Sequence, residues 1–415
     1  MQKTINKIVI AFLICFVGLE TTAQNSTNSP YTRYGYGELA NRSFGAGRSM
    51  GGVGIGLRSP RQINPMNPAS YSCMDSLTFL FDFGASAQLS WFSDANGKQN
   101  DLNGNVEYMA MQFPLHQKAA MSVGLMPYSH VGYKFGEAKK SAEGLLYSEQ
   151  FEGVGGLNLL YAGLSIDIWK KRLSVGANIN YLFGSITHSS QSIYSYESPN
   201  ATSVNKTVMF KIKNATFDLG AQYTHRLSKT ENMVFGLKYS PKMKLSNETY
   251  QSISSTTSVI DTLTGLAYDK PVELGAGISY IKTDKLTIAA DIDYQKWSDV
   301  WYAGKSEQFD NRLKIAAGAE WIPNLYSRPF FNRVRYRTGA SYTGSYVKIN
   351  GRGYNELSFN LGAGFPITDG RSYINVSFDY VKITPEIKTM IDEQYFRMTI
   401  SYTFNEYWFF KKKLE

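Results

Sequence analysis

The sequence predicts an all-β protein: a transmembrane antiparallel β-barrel of about 14 strands, closed around an N-terminal hatch or plug segment. Three observations predict it. An apolar leader opens the chain, yet no later stretch is apolar enough for a membrane helix. From about residue 77 onward, apolar and polar residues alternate with period two in long runs, the spacing that separates the two faces of a strand. The chain is also rich in aromatic residues, with 29 Tyr and 24 Phe, while only 19% of its residues are charged. Exported barrels carry such aromatics in girdles at the membrane boundary.

The leader comes first. Lys3 and Lys7 precede the apolar run "IVIAFLICFVG" at 8–18, and Thr21 and Ala23 supply small residues for cleavage. A charged start, a short apolar core and a small-residue site mark residues 1–23 as a secretory signal peptide. The run is well short of the roughly 20 residues that span a bilayer. Ile14, before Cys15, is too bulky for lipid attachment at that cysteine. Cys73 then remains alone, so the exported chain has no intrachain disulfide.

Residues 24–76 read as the hatch or plug. The stretch "YTRYGYGELANRSFGAGRSMGGVGIGLRSP" from Tyr31 holds no useful strand or helix period, and its glycines let backbone bend and pack closely. "INPMNPASYS" follows from Ile63. Each residue before a proline is driven toward extended geometry, and each proline lacks an amide donor. Asn64 and Asn67 carry side chains that bond locally to backbone. This stretch is expected to line the inside of a barrel and to act as a hinge into the first strand.

Residues 77–415 read as the barrel. In "LTIAADIDYQ", Ile288, Ala290, Ile292 and Tyr294 oppose Ala289, Asp291, Asp293 and Gln295. "KNATFDLGAQYT" and "YINVSFDYV" divide in the same way. The segments are long enough to span a bilayer, and lipid admits no open sheet edge, so the sheet closes. The first segment lies near 77–92, the third near 117–136 and the last near 394–408, where Met398, Ile400, Tyr402 and Phe404 alternate outward. Short connectors such as "KTDK" from Lys282 and "TDGR" from Thr368 read as periplasmic turns. "SYESPNATSVNK" from Ser195 and "NETYQSISSTTS" from Asn247 read as extracellular loops.

The polar face is rich in charge. Asp218, Asp291, Asp293, Glu320, Arg333, Arg335, Arg337, Asp379 and Arg397 are expected to face the lumen, pairing across the wall or to the plug. Arg335 and Arg337 are candidates to clamp the hatch or to guide an anionic head group. The net charge of +9 is a mild excess, dispersed over the surface, with outer-membrane lipid or lipopolysaccharide as neighbours and no nucleic-acid partner.

Catalysis finds no support in the sequence. His116, His130, His188 and His225 are scattered and lie in no metal-ligand spacing. Ser129 and His130 are adjacent on a strand and face opposite ways, so without a bulge they cannot act as nucleophile and base. No catalytic residue, metal or cofactor is predicted.

With these features in place, the chain resembles the FadL-type family of outer-membrane transporters for hydrophobic compounds. "FGAGRSMGGVGIGL" followed by Asn67, Pro68, Ala69 and Ser70 is similar to the family's small-residue segment and its Asn-Pro-Ala hatch motif before the first strand. "IAADIDYQKWSDV", with Trp297 and Ser298, resembles its acidic, aromatic strand. "LKIAAGAEWIP" and "RYRTGASYT", with Arg337 and Gly339, resemble the pair that follows.

The resemblance implies passive uptake of hydrophobic or amphipathic, fatty-acid-like molecules across the cell outer membrane, with sideways exit where the third strand is kinked. Pro127 lies in the third segment, so Pro127, Tyr128 and Gly132 are the expected lateral opening. "EAKKSAEGLLYSEQ" from Glu137 departs from the family, being short and charged where transporters place an apolar ligand-catching loop. The alternative is a non-transporting FadL-like barrel that serves as a structural or scaffold subunit of an outer-membrane secretion or assembly complex. Its partners would be other outer-membrane proteins.

Overall fold

The computed structural model describes residues 26–94, 97–140, 146–169, 172–194, 203–255, 258–367, 371–387 and 390–407. The leader, most of "TDGR", most of "SYESPNATSVNK" and everything after Tyr407 lie outside them.

Fourteen strands form one antiparallel ring. The first five are β1 Thr78–Ser93, β2 Lys98–His116, β3 Ala119–Lys140, β4 Leu146–Trp169 and β5 Leu173–Tyr194. Next come β6 Val204–Arg226, β7 in two parts (Glu231–Ser240 and Asn247–Ser254) and β8 in two parts (Ser258–Leu263 and Val272–Lys282). The rest are β9 Leu286–Lys296, β10 Arg312–Trp321, β11 Arg335–Gly344, β12 Tyr354–Pro366, β13 Tyr373–Pro385 and β14 Asp392–Tyr407. Each pairs with its chain neighbours, and β14 returns to β1 from Asp392↔Ser93 to Tyr407↔Thr78, which closes the ring. A closed sheet is what hydrocarbon surroundings require, and an even strand number is usual for bacterial outer-membrane barrels.

Burial is inverted relative to a soluble fold. On β9, Ile288 and Ile292 are 49% and 52% exposed, while Asp291 and Asp293 are 5% and 7% exposed. On β6, Phe217 and Leu219 are likewise exposed around a buried Asp218. Alternation therefore turns apolar side chains out and polar ones in, as in a barrel whose solvent is lipid. Among the described residues no helix is long and apolar enough to cross a membrane.

The ladder departs from the expected pattern most clearly in β7, β8 and β9. Periodicity reads 232–252 and 257–280 as unbroken strands, but β7 and β8 are interrupted at 241–246 and 264–271, beside Pro241 and Pro271. Proline removes a ladder donor, and the freed backbone folds inward as Met243–Lys244 paired with Asp269–Lys270. The stretch from Asn247, expected as a loop, is instead ladder. Asn247–Ser254 pairs on one side with β6 and on the other with Ser258–Leu263. Strand β9 also stops at Lys296 rather than near 301, because Trp297 turns inward and is completely buried.

Residues 26–77 run inside the ring with little regular structure: 3-10 turns at Pro30–Arg33 and Pro68–Cys73, a two-residue strand Glu38–Leu39 and a short helix Gly45–Ser49. Wall and segment meet backbone to backbone. A Cβ at Gly236 would lie 2.0 Å from the Ile55 carbonyl oxygen, and one at Gly339 would lie 2.2 Å from the Gly51 nitrogen. Toward the long-loop end an aromatic cluster roofs the lumen. Trp297 stacks on Tyr346 at 4.2 Å, and Tyr36 of the segment meets the Tyr302 ring edge-on at 5.3 Å.

Candidate functional site

The candidate site is the contact between the N-terminal segment and the wall. Three arginines of the segment each meet an inward acid on a different strand. Arg42 binds Glu273 on β8, Arg48 binds Glu107 on β2 at 2.8 Å, and Arg58 binds Asp167 on β4 at 2.9 Å. The one acid of the segment's strand, Glu38, is met by Arg397 on β14 at 3.3 Å. Burial works against the Arg42 charge, but the carboxylates of Glu273, Asp218 and Asp293 together outweigh it and hold the guanidinium above its ordinary pKa. Lys238 joins the same cluster, 2.9 Å from Glu273 and 3.3 Å from Asp293. Buried pairs contribute little as bystanders, but losing one partner strands a charge, so together they latch the segment in one register.

Asp291 holds the segment by another route. Its carboxylate accepts the backbone N–H groups of Gly54 at 2.6 Å, Ile55 at 2.7 Å and Gly56 at 3.2 Å. Successive N–H groups converging on one anion form a nest, and glycine-rich backbone forms it most readily.

The Asn-Pro-Ala stretch is a third anchor. Asn67 is fully buried, and its amide donates to the carbonyls of Ile55 at 2.9 Å, Ala221 at 3.2 Å and Leu237 at 3.2 Å. Its oxygen caps the following 3-10 turn by accepting from Ala69 N–H at 3.1 Å, with Pro68 in the first helical position. The Ala69 carbonyl accepts from Arg58 at 2.9 Å and Ser165 at 3.0 Å, and Ser70 donates to the Asn64 carbonyl at 3.1 Å.

The wall itself parts between β2 and β3. Their ladder runs from His116↔Ala119 to Met109↔Leu125 and goes no further among the described residues. Beyond that point, among the wall strands, β2 pairs with β1 alone and β3 with β4 alone, with a register shift between Pro127 and Ser129. The N-terminal segment covers the open edge. Glu38 and Leu39 pair antiparallel with His130 and Ser129, and Ala40 N–H donates to the Tyr128 carbonyl at 3.0 Å. Gly132 N–H donates to Thr32 Oγ1 at 3.2 Å, and from the opposite edge Asn105 donates to the Ser26 carbonyl at 2.8 Å. A recess of about 540 Å³, lined by residues that include Val106, Pro127, Asn158 and Ser185, lies over the parting. The lumen keeps a cavity of about 140 Å³ whose lining mixes charged residues such as Arg42, Glu273 and Arg397 with apolar and aromatic ones such as Met66, Tyr128 and Ile383.

The other residues singled out in the sequence are divided between the parted edge of β3, the wall and the turn ahead of β11. Pro127, Tyr128 and Gly132 lie together on the parted edge of β3, beneath segment residues 32–40. Asp379 accepts from Asn360 at 2.7 Å, inside the wall. Glu320 binds Arg335 at 2.9 Å and Arg337 at 2.7 Å across β10 and β11. Both arginines are therefore spent on a wall acid, and Arg337 also donates to Asn375 at 2.7 Å, so they do not clamp the segment. Arg333 is not a lumen residue. It ends the 3-10 turn Phe330–Arg333 ahead of β11, 5.8 Å from the Phe330 ring. Ser129 Oγ is buried without a hydrogen-bond partner and so forms no relay with His130.

A family model, BamG, matches residues 4–415. The chain belongs to the BamG family. No curated protein matches it. Its barrel is similar to three solved structures. They are the Ralstonia pickettii toluene transporter TbuX (TM-score 0.57, 15% identity, 87% of this chain and 98% of that one), a Pseudomonas aeruginosa FadL homologue (0.57, 12%, 88% and 99%) and the CymD monoaromatic hydrocarbon channel (0.56, 14%, 88% and 98%). At such identities the likeness establishes the fold alone. The FadL resemblance read from the sequence therefore holds for the barrel, and the family is BamG.

The latch residues Arg42, Arg48, Arg58, Glu107, Asp167 and Glu273 escaped the sequence reading. A signal was present: three arginines in a glycine-rich segment, and inward-parity acids on distant strands. Matching them needed the register of the whole ring.

Proposed function

We propose that this BamG-family barrel is a plugged, non-conducting subunit of the outer membrane of a Gram-negative-type cell, holding partner proteins as part of a larger assembly. The observation that carries this reading is the lumen. Residues 26–77 occupy it, ion pairs on four strands latch them, and a cavity of about 140 Å³ beside them is lined by buried ion pairs such as Arg42–Glu273 as well as by apolar and aromatic side chains such as Tyr128 and Ile383. A hydrophobic cargo passing there would have to strip buried ion pairs of their partners, at several kcal/mol each. The aromatic roof around Trp297 adds a second barrier. No catalytic role is proposed.

One observation favours a second reading, uptake by lateral diffusion. The β2–β3 ladder stops beside Pro127, where only the segment covers the edge and its displacement would open a lateral exit, and two of the similar structures are described as a toluene transporter and a monoaromatic hydrocarbon channel. Affinity purification of the full chain from native membranes, beside uptake of radiolabelled fatty acid and toluene by cells lacking it, separates the two. Stoichiometric outer-membrane partners with undiminished uptake are expected. Uptake lost in the deletion, with no partner retained, would overturn the scaffold reading.

A further inference from the structure

At the short-turn end, where β1 begins and β14 ends, the six turns are basic, with the exposed acids Asp75 and Glu406 confined to the β14–β1 seam. Each of its six turns carries a cation: Lys118 after β2, Arg172 after β4, Lys229 after β6, Lys285 after β8, Arg328 after β10 and Arg371 after β12. Among the described residues of these turns Asp284 is the lone acid. The opposite end differs. Its described connectors hold Lys305, Lys348 and Arg352 against Asp94, Asp299, Glu307, Asp310 and Glu386.

Several of the cations at the short-turn end sit on outward aromatic rings. Arg172 lies 5.8 Å from the Trp169 ring, Arg371 lies 3.3 Å from the Tyr407 ring and Arg333 lies 5.8 Å from the Phe330 ring. Those rings are 49%, 53% and 38% exposed. Exposed Trp and Tyr at the ends of barrel strands mark the depth of the lipid headgroups. A guanidinium held over such a ring stands where a lipid phosphate would be and suits bidentate binding.

From this we infer that the short-turn rim is a collar for anionic phospholipid headgroups in the leaflet on that side. The distribution decides between occupants. A protein partner would leave a footprint on one sector, whereas a lipid leaflet surrounds the barrel as an annulus, as the cations do. The inference rests on the membrane reading of the barrel and not on whether the lumen conducts. Anionic headgroups held there set the axial depth of the barrel and its tilt.

Native mass spectrometry of the full-length, detergent-solubilised protein, titrated in parallel with phosphatidylglycerol, phosphatidylethanolamine and lipid A, tests the collar. Attraction of roughly fivefold per cation near an anionic surface leads us to expect at least about fivefold more phosphatidylglycerol than phosphatidylethanolamine retained. The preference should fall to near parity in Arg172→Gln/Arg333→Gln/Arg371→Gln and persist in Lys305→Gln/Lys348→Gln/Arg352→Gln. Heat-modifiable gel migration verifies that each variant is folded, and Lys118→Gln with Lys285→Gln, away from the aromatic rings, gives a second reading at the same rim. Equal retention by wild type, a preference that survives in the folded rim variants, or stronger retention of lipid A would overturn the inference. So would an acidic protein captured through the same arginines in place of lipid.

Discussion

Arg48 shows how one residue can hold the plug. It is buried in the helix Gly45–Ser49 and its guanidinium faces Glu107, 59 positions along the chain. Arg48→Ala leaves the carboxylate without its partner and is expected to destabilise the folded barrel by about 3–5 kcal/mol. Arg48→Met with Glu107→Gln removes both charges and should cost markedly less; urea unfolding in detergent micelles measures both. If the single and double variants cost the same, the pair does not act as a unit. Asp291→Ala makes a different point, because it orphans three backbone N–H groups at once. A loss of about 3 kcal/mol is expected, with Asp291→Asn retaining part of the binding as a neutral acceptor. Gly236→Val, with no room against the Ile55 carbonyl, should displace the segment and expose it to added protease. An unchanged digestion pattern would show that the contact relaxes without displacement.

β3 is the element on which the two functional readings divide. Its first part closes the wall against β2. Beyond Leu125 its edge is free for the segment's strand, and Pro127 marks the change because it cannot donate to a ladder. Strand addition of this kind satisfies an edge that lipid would otherwise leave unpaired. Leu39 and Ser129 are partners across it. A Leu39→Cys/Ser129→Cys disulfide in a Cys73→Ser background should leave assembly of partners unaffected, while a cargo route through the parting would be shut. Uptake that falls on oxidation and returns on reduction would favour transport over the scaffold. The Pro68–Cys73 turn plays a quieter part. Its prolines suit a chain that runs along a wall without asking for ladder partners, and Asn67 supplies the polar anchor. Pro65→Ala with Pro68→Ala should therefore loosen the segment less than Asn67→Ala, as reported by the thermal midpoint of heat-modifiable migration.

At the scale of the whole molecule the proposed reading has the barrel shut in two layers, latched plug and aromatic roof. Planar bilayers containing the wild type are expected to show no stable conductance. Arg42→Gln/Arg48→Gln/Arg58→Gln releases the three arginine latches and should give intermittent openings; a silent triple variant that is folded would place the barrier in the roof around Trp297 instead.

Much of this architecture is legible in the sequence because period two is a local property. Neighbouring residues on a strand face opposite ways whatever lies around them, so the 14 segments and the inward parity of Asp291, Asp293, Glu320, Arg335, Arg337, Asp379 and Arg397 follow from the chain alone. Inversion of burial followed too, once the aromatic and apolar set was matched to a lipid solvent. Which inward charges meet was decided by tertiary structure. Arg42 and Glu273 are 231 positions apart, and their contact depends on the path of an irregular segment and on the register of every strand between. The breaks in β7 and β8, the inward turn of Trp297 and the parting at Pro127 likewise arise where a local pattern yields to the packing of the lumen. Sequence by itself determined a closed, polar-lined barrel with something inside it; only the assembled ring decided that the something is latched, and where.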